Sequence, residues 1–191
     1  MALPVERWIV CVTGLRQSEG QLTGLERLQD AIHRRCSNDE TRVLLRDWRD
    51  SPDAIAQRIW LRRPVDRQPV VILVGYSYGG TTANEIAREL DARGIEVTTM
   101  LLIDPIWRPF RYWPSLLSVF SCWSLSVPPN VRQLYSWRQK RSRPRGHALV
   151  VDGARTHHIA HTLNVEHGYM DDHPDVQLTT LRTACPSSEA A

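Results

Sequence analysis

The chain has 191 residues, 42% of them hydrophobic and 24% charged, an ordinary globular balance that excludes a disordered chain and fits one domain. The formal net charge of +3 is unevenly placed, because residues 106–151 hold eight basic side chains and no acidic one while the remainder holds 16 basic against 21 acidic. Nothing reads as a membrane span or a secretory leader: the closest apolar run, Leu116–Val127, has 12 residues where a span needs roughly 20, and Glu6 precedes only a short apolar run near the N-terminus.

The first element is Trp8-Ile9-Val10-Cys11-Val12, a continuous apolar run closed by Thr13-Gly14. A run of that length reads as a strand buried on both faces. Thr23-Gly24-Leu25-Glu26 matches a capping box, and Leu25, Leu28, Ile32 and Cys36 follow at helical spacing. Val43-Leu44-Leu45 is a second strand, ending near Asp47. Ser51-Pro52 supplies an N-cap and a first-turn proline for a helix whose apolar stripe is Ile55, Ala56 and Ile59. Residues 70–75 form the most hydrophobic strand, a helical pattern runs from Thr81 to about Arg93 with Gly94 as its stop, and Val97–Ile103 is a fourth strand ending at Asp104-Pro105.

Beyond Pro105 the rhythm breaks. Five prolines over residues 105–130 (Pro105, Pro109, Pro114, Pro128, Pro129) and many aromatics mark an irregular, lid-like insertion at about 106–130. Val131–Trp137 returns to the sheet, His147–Val151 and Thr162–Val165 read as further strands, and a last helix spans about Pro174–Ala184. Alternating strands and helices predict an α/β fold in one domain over 1–191. Its architecture is a three-layer α/β/α sandwich on a mainly parallel sheet, with residues 70–75 near the centre. The four cysteines lie far apart with no C-x-x-C, which suggests neither a disulfide framework nor a zinc ribbon and points to a reducing, cytoplasmic setting.

Gly75-Tyr76-Ser77-Tyr78-Gly79 fits G-x-S-x-G, with Gly80 behind it. The bare pattern arises by chance in about one chain in fifteen of this size, but here it joins the strongest strand to a helix. At such a junction a tight turn lifts the serine hydroxyl above the sheet, and glycines let the backbones approach. A phosphate loop would want G-x-G-x-x-G or Gly-Lys-Ser/Thr, and neither is present.

A serine nucleophile needs a general base, and the base needs an acid to orient it. Asp104 follows the next strand and so emerges at the sheet edge shared with Ser77; Asp152 and Asp47 are the alternatives. Of seven histidines, His167 follows the last predicted strand at that same edge, with His173 as runner-up. His157, His158 and His161 cluster, but without an H-E-x-x-H they do not spell a metal site.

The order Ser77, Asp104, His167 resembles the α/β-hydrolase superfamily, in particular small lipase- and esterase-like members without the leading antiparallel strands. The likeness rests on the strand with Thr13-Gly14, the Gly75–Gly80 elbow, the Leu101–Pro105 strand end, and His167–Val176, which fits H-x-x-[IM]-D-x-x-P-x-V. That last segment favours His167 over His173. The resemblance implies an oxyanion hole from the N–H groups of Tyr78 and Leu15, and cleavage of carboxylic esters through an acyl-enzyme with no metal or organic cofactor. Two alternatives carry over: an acyltransferase or thioesterase using the same residues, and a catalytically silent relative that binds an anionic partner. Trp107 and Trp113, just past Asp104, are the expected acyl contacts. The expected partner is a small ester or acyl substrate. The basic run 138–145 is compatible with weak contact to an anionic membrane surface and is not specific enough for nucleic acid.

Overall fold

The computed structural model describes residues 5–15, 22–107 and 124–186. Six strands form one sheet: β1 (Arg7–Val12), β2 (Thr41–Arg46), β3 (Val70–Tyr76), β4 (Val97–Ile103), β6 (Val131–Gln139) and β8 (His157–Leu163). Their order is β2-β1-β3-β4-β6-β8, and every neighbouring pair is parallel. β5 (Ser124–Ser126) and β7 (Ala148–Val150) pair separately, also in parallel.

Among the described residues four helices cover the sheet: α1 (Gly24–Cys36), α2 (Pro52–Leu61), α3 (Tyr78–Asp91) and α4 (Pro174–Ala184). Alternation along the strands decides which helix meets which face. Val10, Leu73 and Leu102 pack with Ile59 of α2 and Ile86 of α3, whereas Ile9, Ile72 and Leu101 pack with Leu28 of α1 and Val176 of α4. The result is a three-layer α/β/α sandwich, as the alternating pattern predicts. Strand β3, hydrogen-bonded to β1 and β4, sits inside the sheet and not at its edge.

The predicted caps form. The Thr23 hydroxyl accepts from the Glu26 N–H and the Glu26 carboxylate accepts from the Thr23 N–H, while Ser51 caps α2 with Pro52 in its first turn. A cap of this kind stabilises by about 1 kcal/mol. Gly94 closes the α3 region at φ 67°, a conformation that costs glycine little.

Three sequence expectations change. Helix α3 starts at Tyr78 and not Thr81, since Gly79 and Gly80 depress helix propensity just where the turn feeds the helix. The last strand is His157–Leu163 instead of Thr162–Val165. As the outer strand of the sheet it is largely exposed, so it lacks the apolar run that marks buried parallel strands. The cysteines were expected unpaired, yet Cys36 and Cys185 form a disulfide with Cα atoms 6.0 Å apart. Both end helices that pack on the same sheet face, so tertiary structure joins what 149 residues of sequence separate. That pairing removes the cysteine-spacing argument for a reducing compartment. Among the described residues no helix is long and apolar enough to cross a membrane.

Candidate active site

Strand β3 runs into α3 through Ser77, whose backbone takes φ 53° and ψ −121°. For a residue with a Cβ this region costs on the order of 1–3 kcal/mol. Three backbone bonds hold it there: the Ser77 N–H donates to the Ile103 carbonyl at 3.0 Å, and the Ser77 carbonyl accepts from Gly80 at 3.0 Å and Ile106 at 2.9 Å. The elbow also needs close backbone approach. A Cβ on Gly79 would lie 2.2 Å from the Val12 carbonyl oxygen, and one on Gly75 would lie 2.6 Å from that of Gly79. The G-x-S-x-G glycines are thus required by contact.

Asp104 directly follows β4, the strand beside β3, also with positive φ (43°). Its side chain is wholly buried, and its needs are met by three N–H groups. Oδ1 accepts from the backbone of Gln139 at 3.2 Å and Gly146 at 2.9 Å, and Oδ2 lies 2.6 Å from His167 Nδ1. Such full pairing offsets the desolvation of a buried carboxylate. A Cβ on Gly146 would come within 2.4 Å of Oδ1, so only glycine lets the chain cradle the acid.

His167 opens a single 3-10 turn (His167–Tyr169) after β8. Its Nε2 is 3.0 Å from Ser77 Oγ. Because a carboxylate only accepts, the Asp104 contact assigns the imidazole proton to Nδ1 and leaves Nε2 to accept from the serine hydroxyl. The backbone of His167 is held as firmly: its N–H donates to Ser142 Oγ at 2.8 Å and its carbonyl accepts from Tyr76 Oη at 2.8 Å. The Tyr76 ring stacks on the imidazole with centroids 5.2 Å apart. Burial, followed by the nearby carboxylates of Asp171, Asp104 and Asp172, pushes the Tyr76 hydroxyl well above its usual range. It therefore stays protonated and able to donate.

Ser77 and His167 line a cavity of about 610 Å³ shared with Leu15, Tyr78, Ile106 and the start of α1 at Thr23, Gly24 and Arg27. Leu15 and Tyr78, the two expected oxyanion donors, therefore sit at the cavity, and their side chains pack with Trp48 and Ile106. Trp107 does not line it. The chain turns at Pro105 so that Ile106 reaches the cavity while Trp107 packs against the α2–α3 core, its N–H bonded to His147 Nδ1 at 2.7 Å. Trp113, the other expected acyl contact, and most of the expected lid lie outside the described residues. The basic run is exposed at Arg138, Lys140, Arg141, Arg143 and Arg145, beside Pro144, which lines the cavity.

The runners-up have other work. His173 caps α4 by accepting from the Asp175 N–H, and Asp152 is an exposed turn residue accepting from Ala154. His157, His158 and His161 lie on β8, and among the described residues no His, Cys, Asp or Glu cluster is built to hold a metal. Sequence reading counted Asp171 in the histidine-loop pattern but gave it no role; its Oδ2 accepts from Leu25 N at 2.9 Å and so ties α1 to that loop. Gln139 and Gly146 were missed, for no local pattern gives a signal for either.

No protein-family model matches the chain, and no curated protein matches it. Solved structures do. RedJ, a thioesterase from the prodiginine biosynthetic pathway in Streptomyces coelicolor, is 11% identical with a TM-score of 0.51, over 94% of this chain and 85% of its own. The NocB thioesterase domain from the nocardicin cluster is 18% identical with a TM-score of 0.47, over 95% and 94%. At these identities the likeness to RedJ is one of fold: a largely parallel sheet between two helical layers.

Proposed function

We propose that the protein is a serine hydrolase that cleaves carboxylic esters through an acyl-enzyme. The observation that carries this reading is the continuous hydrogen-bonded line Ser77 Oγ, His167 Nε2, His167 Nδ1, Asp104 Oδ2, with contacts of 3.0 Å and 2.6 Å, opening on a cavity.

In this reading Ser77 Oγ attacks the acyl carbonyl as Nε2 of His167 takes its proton. Asp104 keeps the imidazole in the tautomer that can accept and stabilises the imidazolium that results. The tetrahedral oxyanion is met by the N–H groups of Tyr78 and Leu15, the first of them at the positive end of α3. His167 then returns the proton to the departing alkoxide, and the acyl group stays on Ser77. Water then attacks the acyl carbon with His167 again as base, and as the acyl–Ser77 bond breaks His167 returns that proton to Ser77 Oγ and the carboxylic acid leaves. Each step uses groups of this chain alone.

Thioesters are the second reading, favoured by the fold likeness to RedJ, which is described as a thioesterase. The same residues serve, with a thiolate leaving in place of an alkoxide. The exposed cations of 138–145 would then stand near a substrate's anionic portion, or near an anionic surface. The deciding experiment compares p-nitrophenyl esters and matched acyl thioesters of increasing chain length on wild type and Ser77→Ala. Ester turnover that needs Ser77 supports the first reading, and a much higher kcat/KM for thioesters supports the second. Turnover of neither, or equal turnover by Ser77→Ala, sinks both.

A further inference from the structure

The loop leaving β6 is closed by one side chain. Gln139 is 2% exposed, and its amide nitrogen donates to the carbonyls of Ser142 and Pro144, each at 2.9 Å. Its amide oxygen accepts from the N–H groups of Arg141 at 2.7 Å and Ser142 at 2.9 Å. A primary amide has two N–H donors and two acceptor lone pairs, so all four are spent on residues 141–144. The arrangement also fixes which end is nitrogen, since the reverse would set oxygen against two carbonyls.

What this loop touches gives the amide its consequence. The backbone N–H groups at its two ends, Gln139 and Gly146, both donate to Oδ1 of Asp104, and Ser142 Oγ in its middle accepts from the N–H of His167. One closed loop therefore holds both the Asp104 carboxylate and the His167 backbone. The Gln139 side chain hydrogen-bonds to neither Ser77, Asp104 nor His167. It acts on them through the loop.

We propose that Gln139 is a positioning residue for the Ser77–His167–Asp104 hydrolysis: its amide clamps residues 139–146 in the one shape that sets acid and histidine together. The inference rests on the proposed function, and its test separates the two. Gln139→Glu keeps the shape and the accepting oxygen but places a second oxygen against the Ser142 and Pro144 carbonyls. Gln139→Leu removes all four bonds, and Ser142→Ala removes only the acceptor for His167.

Two readouts apply, beside Ser77→Ala as control. The first is kcat and KM on p-nitrophenyl butyrate. The second is the far-downfield proton NMR signal of the His167–Asp104 hydrogen bond, which needs no substrate. In folded Gln139 variants kcat should fall on the order of 10- to 100-fold, the scale of a small misplacement of reacting groups. KM should change less than kcat, because the clamp reaches the cavity wall only through Pro144. The bridging proton should move upfield or broaden, with Ser142→Ala intermediate in both measures.

Folded Gln139 variants that keep the wild-type kcat and proton signal overturn the proposal, as does a kcat loss that merely tracks the unfolded fraction. If Gln139→Leu does not fold, Ser142→Ala decides, and a wild-type result there overturns the link to His167. If the wild type shows no Ser77-dependent turnover, the hydrolase reading fails. The NMR comparison then decides by itself whether Gln139 sets the Asp104–His167 contact.

Discussion

Among the described residues two serine hydroxyls meet a histidine ring, and only one of these pairs has the makings of a site. Ser136 Oγ and His158 Nε2 are 2.8 Å apart, closer than Ser77 Oγ and His167 Nε2 at 3.0 Å. Ser136 sits in the regular run of β6, two residues from Leu134 on the same face, with Ala160 of β8 opposite in register. Ser77 sits off the end of β3 at a strained turn. Among the described residues His158 hydrogen-bonds to no carboxylate, whereas the other ring nitrogen of His167 meets Asp104. The cavity of about 610 Å³ is lined by Ser77 and His167 and by neither Ser136 nor His158. Proximity of hydroxyl and imidazole is therefore not the discriminating feature. The carboxylate on the second ring nitrogen, the strained turn that carries the serine and the space beside it are what separate the two pairs.

The largest expected difference is in turnover. Ser77→Ala should lower kcat on an activated ester by about 10⁶-fold, while Ser136→Ala leaves it within about twofold, since a site-distant substitution has no part in the transition state. Steady-state assays of the two variants in parallel test this. Comparable losses in both would erase the distinction.

Next comes the acid. Asp104→Asn should fold but lose about 10⁴-fold in kcat, because an amide presented to Nδ1 permits the wrong imidazole tautomer. Unchanged turnover would shift the orienting role to another carboxylate. A more local break is Gly146→Ala, whose Cβ would fall 2.4 Å from Asp104 Oδ1. Crowding of this sort costs about 1–3 kcal/mol and should lower both the melting temperature and kcat. A folded variant with wild-type kcat would mean the cradle yields without moving the acid.

The smallest effect concerns the second pair alone. Partial desolvation lowers the pKa of the otherwise exposed His158 from its ordinary 6.5, so the folded state favours neutral imidazole. Its stabilising share is present above the unfolded value and is lost as pH falls through the folded one. The melting temperature of His158→Phe should therefore fall less steeply than wild type below about pH 6.5, with ester turnover near neutrality unchanged. Parallel slopes would show that His158 does not contribute to acid sensitivity.

How much of this was legible beforehand follows from where each signal resides. Buried parallel strands such as Val70–Tyr76 and the Thr23 and Ser51 caps announce themselves in sequence, because burial on both faces demands apolar runs and unpaired helix ends demand particular side chains. The elbow glycines do so too, since each is forced by backbone contact. Ser77, Asp104 and His167 were reachable because each follows a strand of one parallel sheet, and parallel strands end at one edge. The outer strand β8 was displaced in the sequence reading, since exposure relieves it of any apolar pattern.

What the sequence determined by itself was the layered fold, the caps and the order of Ser77, Asp104 and His167 along one sheet edge, all properties of local composition and strand polarity. Only the tertiary structure decided the rest. It turned Trp107 against the core, placed Gly24 of α1 and Asp171 of the histidine loop in contact, joined Cys36 to Cys185, and closed residues 139–146 around the Gln139 amide and onto Asp104. These contacts link residues that no periodicity relates. A hydrogen bond or a close approach depends on where two distant backbones come to rest, and that is fixed by the packing of the whole sheet and its helices and not by either segment alone.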